Sequence, residues 1–174
     1  MAENILPEVP EGAVRLPLTK GFYTLVDAED AERLVGRKMQ ASLHPVRSPC
    51  AVLGVGFGRK GRKNVYLHRF LTEARTGLWV DHINGDTLDN RRSNLRVCTP
   101  AENRVNEGKR RTANPTSKYK GVNREASGRF RATLSVSGTV VWREYFADEI
   151  EAAKAYDGAA ARHHGAFARL NFPK

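Results

Sequence analysis

The 174-residue chain has few of the features that define membrane, secreted or disulfide-bonded proteins. It has two cysteines, Cys50 and Cys98, which provide neither a disulfide framework nor a C-x-x-C zinc pair. No apolar run approaches the ~20 residues of a membrane-spanning helix. The first residues lack a basic start followed by an apolar block, so we expect no secretory signal. A cytoplasmic protein with reduced thiols fits these absences best.

What the chain has in excess is positive charge. Its net charge is +10 and its sequence pI is about 10.0. This balance favours a polyanionic partner, and nucleic acid is the first candidate. A basic protein bound to a membrane surface would need an amphipathic basic helix or a lipidation signal, and the sequence offers neither. We therefore expect a nucleic-acid partner and no membrane.

The N-terminal half predicts short strands before any chemistry-bearing motif. Residues 1–17 read as a flexible tail, and Leu16–Val26 as two strands with a turn at Lys20-Gly21. Asp27 is a candidate N-cap for a short helix. The glycine-rich stretch 54–61 precedes a strand-like run, whereas a phosphate-cradling loop needs a helix after it, so we predict a hairpin turn there.

Four polar residues supply the inventory for cutting a phosphodiester: Asp81, His82, Asn94 and Asn103. Histidine can deprotonate water near neutral pH, and a hard divalent cation takes oxygen ligands from carboxylates and amides. Thr99-Pro100 begins a short helix that carries Asn103. Neighbouring strand residues point to opposite faces, so Asp81 and His82 can share a phosphate only where the strand twists or ends.

Around these residues stand the motifs L-H-R at 67–69, V-D-H-I-N-G-D at 80–86, L-D-N-R-R-S-N-L-R at 88–96 and A-E-N at 101–103. The stretch resembles the HNH endonucleases, in the version found in phage and intron-encoded homing enzymes. The resemblance implies a ββα-metal fold in which Asp81 and Asn103 bind one divalent metal and His82 is the general base. Asn94 would brace the loop and orient His82.

The implied metal is Mg²⁺, with Mn²⁺ as the alternative, because Asn103 stands where relatives often have histidine. We expect no structural zinc, since the spacing of Cys50, Cys98, His44 and His68 fits no known zinc finger. His68 and Arg69 are candidate secondary active-site residues, although a packed structural histidine is an equal alternative for His68. Further candidates for phosphate contacts are Arg91, Arg92 and Arg96.

The C-terminal part predicts a basic linker followed by a small sheet and a helix. Residues 130–136 and 140–146 alternate with period two around a Ser137-Gly138 turn, and Asp148 caps a helix that stops at Gly165. The motifs Y-K-G-V at 119–122, G-R-F at 128–130 and A-A-K-A-Y-D at 152–157 resemble the plant Apetala-two/ethylene-response-factor DNA-binding domain. In that family the sheet enters the major groove. The DNA-binding candidates in this part are Lys109, Arg110, Arg111, Lys118, Lys120, Arg124, Arg129, Arg131, Trp142 and Arg143.

Together these features predict an α+β protein: tail 1–17, nuclease domain 18–106, basic linker 107–117, and a three-stranded antiparallel sheet packed on one helix in 118–174. The expected function is site-specific, homing-type cleavage of double-stranded DNA by a monomer or weak dimer in a bacterial or phage-infected cell. One alternative is a non-catalytic DNA-binding regulator on a degenerate HNH scaffold. Another is an RNA-binding or structural module.

Overall fold

The structure is a computed structural model that describes residues 8–45, 47–55, 61, 63–108 and 116–173. The chain forms two compact units, residues 1–99 and 100–174. The predicted domain limits placed residues 100–106 with the first domain, and those limits stay a prediction. Each unit is described by itself below.

The first unit begins with a hairpin of β1 (Ala13–Pro17) and β2 (Tyr23–Asp27), joined through a 3-10 turn at Thr19–Gly21. This confirms the predicted strand pair, but β1 takes up residues that the sequence assigned to the tail. Helix α1 (Ala28–Arg33) follows. Asp27 precedes it without capping it, because its carboxylate accepts from the backbone N–H of Arg92 at 2.7 Å.

A three-stranded antiparallel sheet comes next, in the order β3 (Met39–His44), β4 (Arg47–Val55) and β5 (Lys63–Tyr66). Helix α2 (Leu67–Thr72) continues directly from β5. Leu53, Leu67 and Leu71 are fully buried and join the sheet to this helix in one core. The predicted turn in 54–61 falls mostly on residues outside the described ranges.

Strands β6 (Trp79–His82) and β7 (Leu95–Cys98) form a two-stranded antiparallel sheet. Its connecting loop turns at Asn84-Gly85-Asp86, where Gly85 has φ +80°. The Asn84 side chain accepts from the N–H of Asp86 at 2.8 Å, and the Asp86 side chain accepts from the N–H of Leu88 at 2.9 Å. These Asx turns explain why the polar run folds back so tightly.

The second unit starts with α3 (Pro100–Asn106) and contains a sheet in the order β10 (Thr139–Phe146), β9 (Phe130–Val136) and β8 (Val122–Arg124). Helix α4 (Glu149–His164) packs on it, with the Asp148 carboxylate accepting from the N–H groups of Ile150 and Glu151. The core joins the alanine face and Tyr156 of α4 to Val122, Ala132 and Leu134. The predicted sheet, helix and cap are present, while the module's assignment to the plant family stays a prediction.

The described residues thus form a mixed α and β structure with four small sheets, in agreement with the predicted class at that level. Among them, no helix has both the length and the apolar character needed to cross a bilayer.

Candidate active site and nucleic-acid interface

Asp81 and His82 are the last two residues of β6, and both are buried, with 7% and 5% of their surfaces exposed. The strand ends at His82, as the sequence required for two neighbouring residues to serve one site. They pair with different residues of β7, Asp81 with Arg96 and His82 with Leu95. Each side chain therefore has its own neighbours, which decide what it can do.

The Asp81 carboxylate is held by Arg96. Oδ2 of Asp81 accepts from Nε of Arg96 at 2.8 Å and from Nη2 at 2.5 Å. The two side chains are only 8% and 15% exposed, and the strand register places them directly opposite each other. The guanidinium expected to contact DNA thus neutralises the carboxylate expected to bind metal.

His82 lies among other buried polar groups. Its Nε2 is 3.3 Å from Oδ1 of Asn90, and its ring meets that of His68 edge to face, with centroids 5.1 Å apart. Burial lowers the pKa of His82 below its ordinary value, although the Asn90 hydrogen bond and the Asp81 charge oppose the shift. The ring is therefore neutral near pH 7, the form that a general base needs.

Behind the Asn90 side chain lies a buried hydroxyl from the other end of the unit. Nδ2 of Asn90 donates to Oγ1 of Thr24 at 2.8 Å, and that hydroxyl donates to the carbonyl of Leu88 at 2.7 Å. Asn90 is fully buried and Thr24 is 1% exposed. Neither residue was predicted to take part in the site: Asn90 lies within the L-D-N-R-R-S-N-L-R motif but was given no role, and Thr24 lies 66 positions from Asn90 in an ordinary strand.

Asn94 makes hydrogen bonds within the loop through both ends of its amide. Oδ1 accepts from the N–H of Asn84 at 2.9 Å, and Nδ2 donates to the carbonyl of Asp89 at 2.8 Å. The His82 ring, however, is within hydrogen-bond distance of the Asn90 side chain. Asn94 therefore shapes the loop, and its predicted orienting effect on His82 would act through that loop.

Two predicted secondary active-site residues, His68 and Arg69, line a cavity of about 340 Å³ together with Tyr66, Trp79 and Val80. Arg69 donates to the carbonyls of Leu78 at 2.7 Å and Ala74 at 3.0 Å, which ties α2 to the start of β6. Its guanidinium therefore holds the backbone that leads into the site.

The other predicted phosphate-binding arginines of this unit also hold carboxylates. Arg91 makes two hydrogen bonds to Asp89, at 2.8 and 2.7 Å. Arg92 makes two to the buried Asp30, both at 2.8 Å. Burial alone would raise the pKa of Asp30, but the hydrogen bonds from Arg92 and Arg33 outweigh it and keep the pKa low. Their contacts to DNA stay predictions, and their contacts in the protein stabilise the loop around the site.

Asp81 offers one carboxylate to a divalent metal. No group of three or more His, Cys, Asp or Glu side chains that could hold a metal occurs in the described part of the chain. Mg²⁺ often binds through one or two carboxylates together with water and substrate phosphate oxygens. Asp81 meets that need if Arg96 gives up the carboxylate. Asn103, the second expected ligand, lies on α3 in the second unit.

In the second unit, the strand register separates the DNA-binding candidates into two faces. Arg131 lies opposite Tyr145, and Arg143 opposite Thr133, on the face away from α4. Trp142 pairs with Leu134 and packs against the core. Opposite residues in a sheet share a face, so Arg131 and Arg143 lie together on the outer face while Trp142 stabilises the unit.

Other basic candidates of this unit contact the protein. Nζ of Lys120 donates to the carbonyls of Val105 and Glu107, both at 2.6 Å, and its burial lowers its pKa. Arg129 donates to the carbonyl of Tyr145 at 3.0 Å. Arg131, although it lies on the outer face with Arg143, forms an ion pair with Glu125 in which its Nε is 3.1 Å from Oε1. The cations of Arg124 and Lys118 lie over the rings of Phe130 and Tyr119. Lys109, Arg110 and Arg111 lie outside the described residues.

Comparison with known proteins identifies a family that the central segment resembles. Residues 65–105 match the HNH endonuclease family model. This HNH segment runs from β5 through α2, β6 and β7 into α3, and it includes Asp81, His82, Asn90, Asn94 and Asn103. The metal and base expected from the resemblance therefore fall on one matched segment.

Two curated relatives extend the comparison beyond the HNH segment. An uncharacterized HNH endonuclease of Acanthamoeba polyphaga mimivirus is 30% identical over 111 residues, covering 60% of this chain and 56% of that protein. An AP2/ERF and B3 domain-containing protein of Oryza sativa subsp. japonica is 44% identical over 61 residues, or 35% of this chain and 17% of that protein. The chain thus spans only part of each relative. No solved structure matches it.

Proposed function

We propose that the chain is a metal-dependent DNA endonuclease of the HNH type. The observation that carries this proposal is the end of β6, where a buried carboxylate and a buried histidine follow each other inside the HNH segment. Each is held by a separate polar partner, Arg96 or Asn90. Double-stranded DNA is the proposed substrate, in agreement with the net charge of +10.

In the proposed mechanism, His82 accepts a proton from the water that attacks the scissile phosphorus. Asp81 would hold the divalent ion, Mg²⁺ or Mn²⁺, which when bound supplies neutralisation of charge on the phosphate and the leaving oxygen. Asn103 stays a predicted second ligand. Arg96 moves from Asp81 to a phosphate oxygen as DNA enters, because a guanidinium binds phosphate as well as carboxylate.

We further propose that the second unit binds DNA through the face of its sheet that carries Arg131 and Arg143. The partial similarity to an AP2/ERF-named plant protein supports this, as does the three-stranded sheet with one face open to a ligand. A site-specific, homing-type enzyme would combine such a reader with the cutting site.

A plasmid-nicking assay tests the enzyme assignment. We expect cleavage with Mg²⁺ or Mn²⁺, none with a chelator, and a loss of about 10²–10⁴-fold in rate for His82→Ala. The matched control is His163→Ala, which removes an exposed histidine on α4. Cleavage that survives His82→Ala would contradict the assigned base.

The ion pair between Asp81 and Arg96 favours a second candidate, a DNA-binding regulator without catalysis. If the guanidinium never leaves the carboxylate, no metal is bound and the HNH segment is only a scaffold. Tight binding of duplex DNA with no nicking in either metal, by the full chain, would support this candidate.

A further inference from the structure

The hydrogen bonds behind His82 have only one consistent set of directions. The carbonyl of Leu88 can only accept, so the Thr24 hydroxyl donates its single hydrogen to that carbonyl, with 2.7 Å between the two oxygens. Toward Asn90, 2.8 Å away, Oγ1 of Thr24 must therefore accept. The amide atom of Asn90 that faces Thr24 is consequently the donor, Nδ2.

With Nδ2 on Thr24, the Asn90 oxygen faces His82. Oδ1 of Asn90 lies 3.3 Å from Nε2 of His82, and an amide oxygen can only accept. Nε2 must then carry the ring hydrogen of neutral His82. In that tautomer the lone pair is on Nδ1, on the other side of the ring.

The surroundings keep this chain of bonds from rearranging. Thr24 and Asn90 are 1% and 0% exposed, so water does not offer alternative partners. The backbones are fixed as well: the N–H of Asn90 donates to the carbonyl of Leu25 at 2.8 Å, and the N–H of Leu25 donates to the carbonyl of Leu88 at 2.9 Å. Turning the Asn90 amide over would leave a buried donor and a buried acceptor facing wrong partners.

We propose that Thr24 and Asn90 are positioning residues that fix His82 in the tautomer protonated on Nε2, so that Nδ1 is the nitrogen that takes the proton of the attacking water. The second half rests on the proposed nuclease function. In that step the O–H bond of water breaks, its proton joins Nδ1, and the oxygen keeps the electron pair for attack on phosphorus. The resulting imidazolium then returns the proton to solvent.

Imidazole ¹⁵N NMR of the full chain reads the tautomer directly, with the His82→Ala spectrum identifying the signals. At a pH well above the ordinary histidine value of about 6.5, we expect wild-type His82 to show a protonated Nε2 and an unprotonated Nδ1. Thr24→Val, which keeps the shape but loses the hydroxyl, should shift both signals toward an average of the two tautomers. Thr24→Ser should leave them in place. A wild-type ring protonated on Nδ1, or an unchanged tautomer in Thr24→Val, would overturn the inference.

Kinetics of DNA cleavage supplies the second test. Asn90→Leu should lower kcat by about 10²–10⁴-fold and leave KM unchanged, and Asn90→Asp, which restores an acceptor, should recover both the tautomer and part of kcat. Val26→Ala creates a cavity on the same strand as Thr24 and controls for loss of stability. A comparable fall of kcat in Val26→Ala would mean that Asn90 is merely structural.

The two proposals fail in distinguishable ways. If His82 shows the expected tautomer but the protein cuts no DNA, the nuclease function is wrong and the assignment of the ring hydrogen to Nε2 remains. Cleavage by a protein whose His82 is protonated on Nδ1 would sink the inference and leave the nuclease function intact.

Discussion

At His68, burial and neighbouring rings make a positive charge costly. The imidazole stacks on Tyr66, meets His82 edge to face, and buries Nδ1 without a hydrogen-bond partner among the described residues. Burial, with smaller contributions from the charges of His82 and Arg69, lowers the pKa of His68 to about 4. The unfolded chain, with an ordinary pKa near 6.5, therefore binds a proton more readily than the folded protein does.

This difference predicts a loss of stability in mild acid. His68 contributes nothing adverse above pH 6.5, and its cost grows as the pH falls from about 6.5 toward 4. Between pH 7 and pH 4.5 we expect it to remove about 2 kcal/mol from the free energy of unfolding. Urea denaturation at both pH values should show a smaller loss for His68→Phe than for wild type. A loss in His68→Phe equal to that of wild type would contradict this account, and the exposed His163→Phe provides the control.

Gly121 is a residue at which only glycine fits. Its φ is +75°, and a Cβ placed there would come within 2.1 Å of the Tyr156 ring. Gly128 has a similar φ, +84°, but nothing within 4 Å of a Cβ. Alanine at either position costs about 1–2 kcal/mol of stability, because an L side chain is strained in the left-handed backbone conformation. Only Gly121→Ala must also displace a buried ring.

We therefore expect Gly121→Ala to lower the free energy of unfolding by about 1–3 kcal/mol more than Gly128→Ala does. Thermal or urea unfolding of the two variants measures the difference. Equal losses would show that Tyr156 moves aside at no cost.

In the β6–β7 pair, Arg96 and a metal ion would compete for the Asp81 carboxylate. The register holds the Arg96 guanidinium on the carboxylate that a metal would need. Arg96→Gln removes the competing cation, so we expect Mn²⁺ to bind about fivefold more tightly to the DNA-free protein, the equivalent of roughly 1 kcal/mol. Titration followed by electron paramagnetic resonance measures this affinity.

Arg92→Gln is the matched control, since it removes an arginine that pairs with Asp30 and not with Asp81. It should leave Mn²⁺ affinity unchanged. If Arg96→Gln also leaves the affinity unchanged, Asp81 is not the metal ligand. Duplex DNA should tighten Mn²⁺ binding to the wild type more than to Arg96→Gln, because phosphate then draws Arg96 away.

Elements that depend on local chemistry could be predicted from the sequence. The Ser137-Gly138 turn and the Asp148 cap follow from neighbouring residues. The role of Asp27 could not, because its carboxylate accepts from the N–H of Arg92, 65 positions away. A capping pattern records only what lies within a turn, whereas a carboxylate accepts from whichever donor the tertiary fold brings to it.

The same limit applies to the candidate site. Asp81, His82 and Asn94 could be found because their order and spacing within one short segment form a pattern. Thr24 could not, since its part depends on the buried hydroxyl that β2 brings behind Asn90. Arg96 was found but expected on a phosphate, because the strand register that sets it against Asp81 cannot be read from spacing.

For the whole molecule, the net charge of +10 does not tell how many cationic side chains can contact DNA directly. Arg91, Arg92 and Arg96 each hold a carboxylate in the first unit, and Lys120 holds two carbonyls in the second. Burial of Lys120 makes its charge costly, and its hydrogen bonds fix the chain that follows α3. Long-range attraction to a polyanion uses every positive charge, but direct phosphate contacts need cations that can reach the ligand.

Arg143 is such a cation, because it is exposed on the face of the sheet away from α4. We expect Arg143→Ala to weaken binding of duplex DNA and to reduce the slope of log K against log salt by about 1. The control is Lys154→Ala, which removes one equal charge from an exposed position on α4. Fluorescence anisotropy between low and moderate salt measures both slopes. If the two variants lose affinity equally, the protein attracts DNA through its overall charge, and the outer face of the sheet is not the surface that binds it.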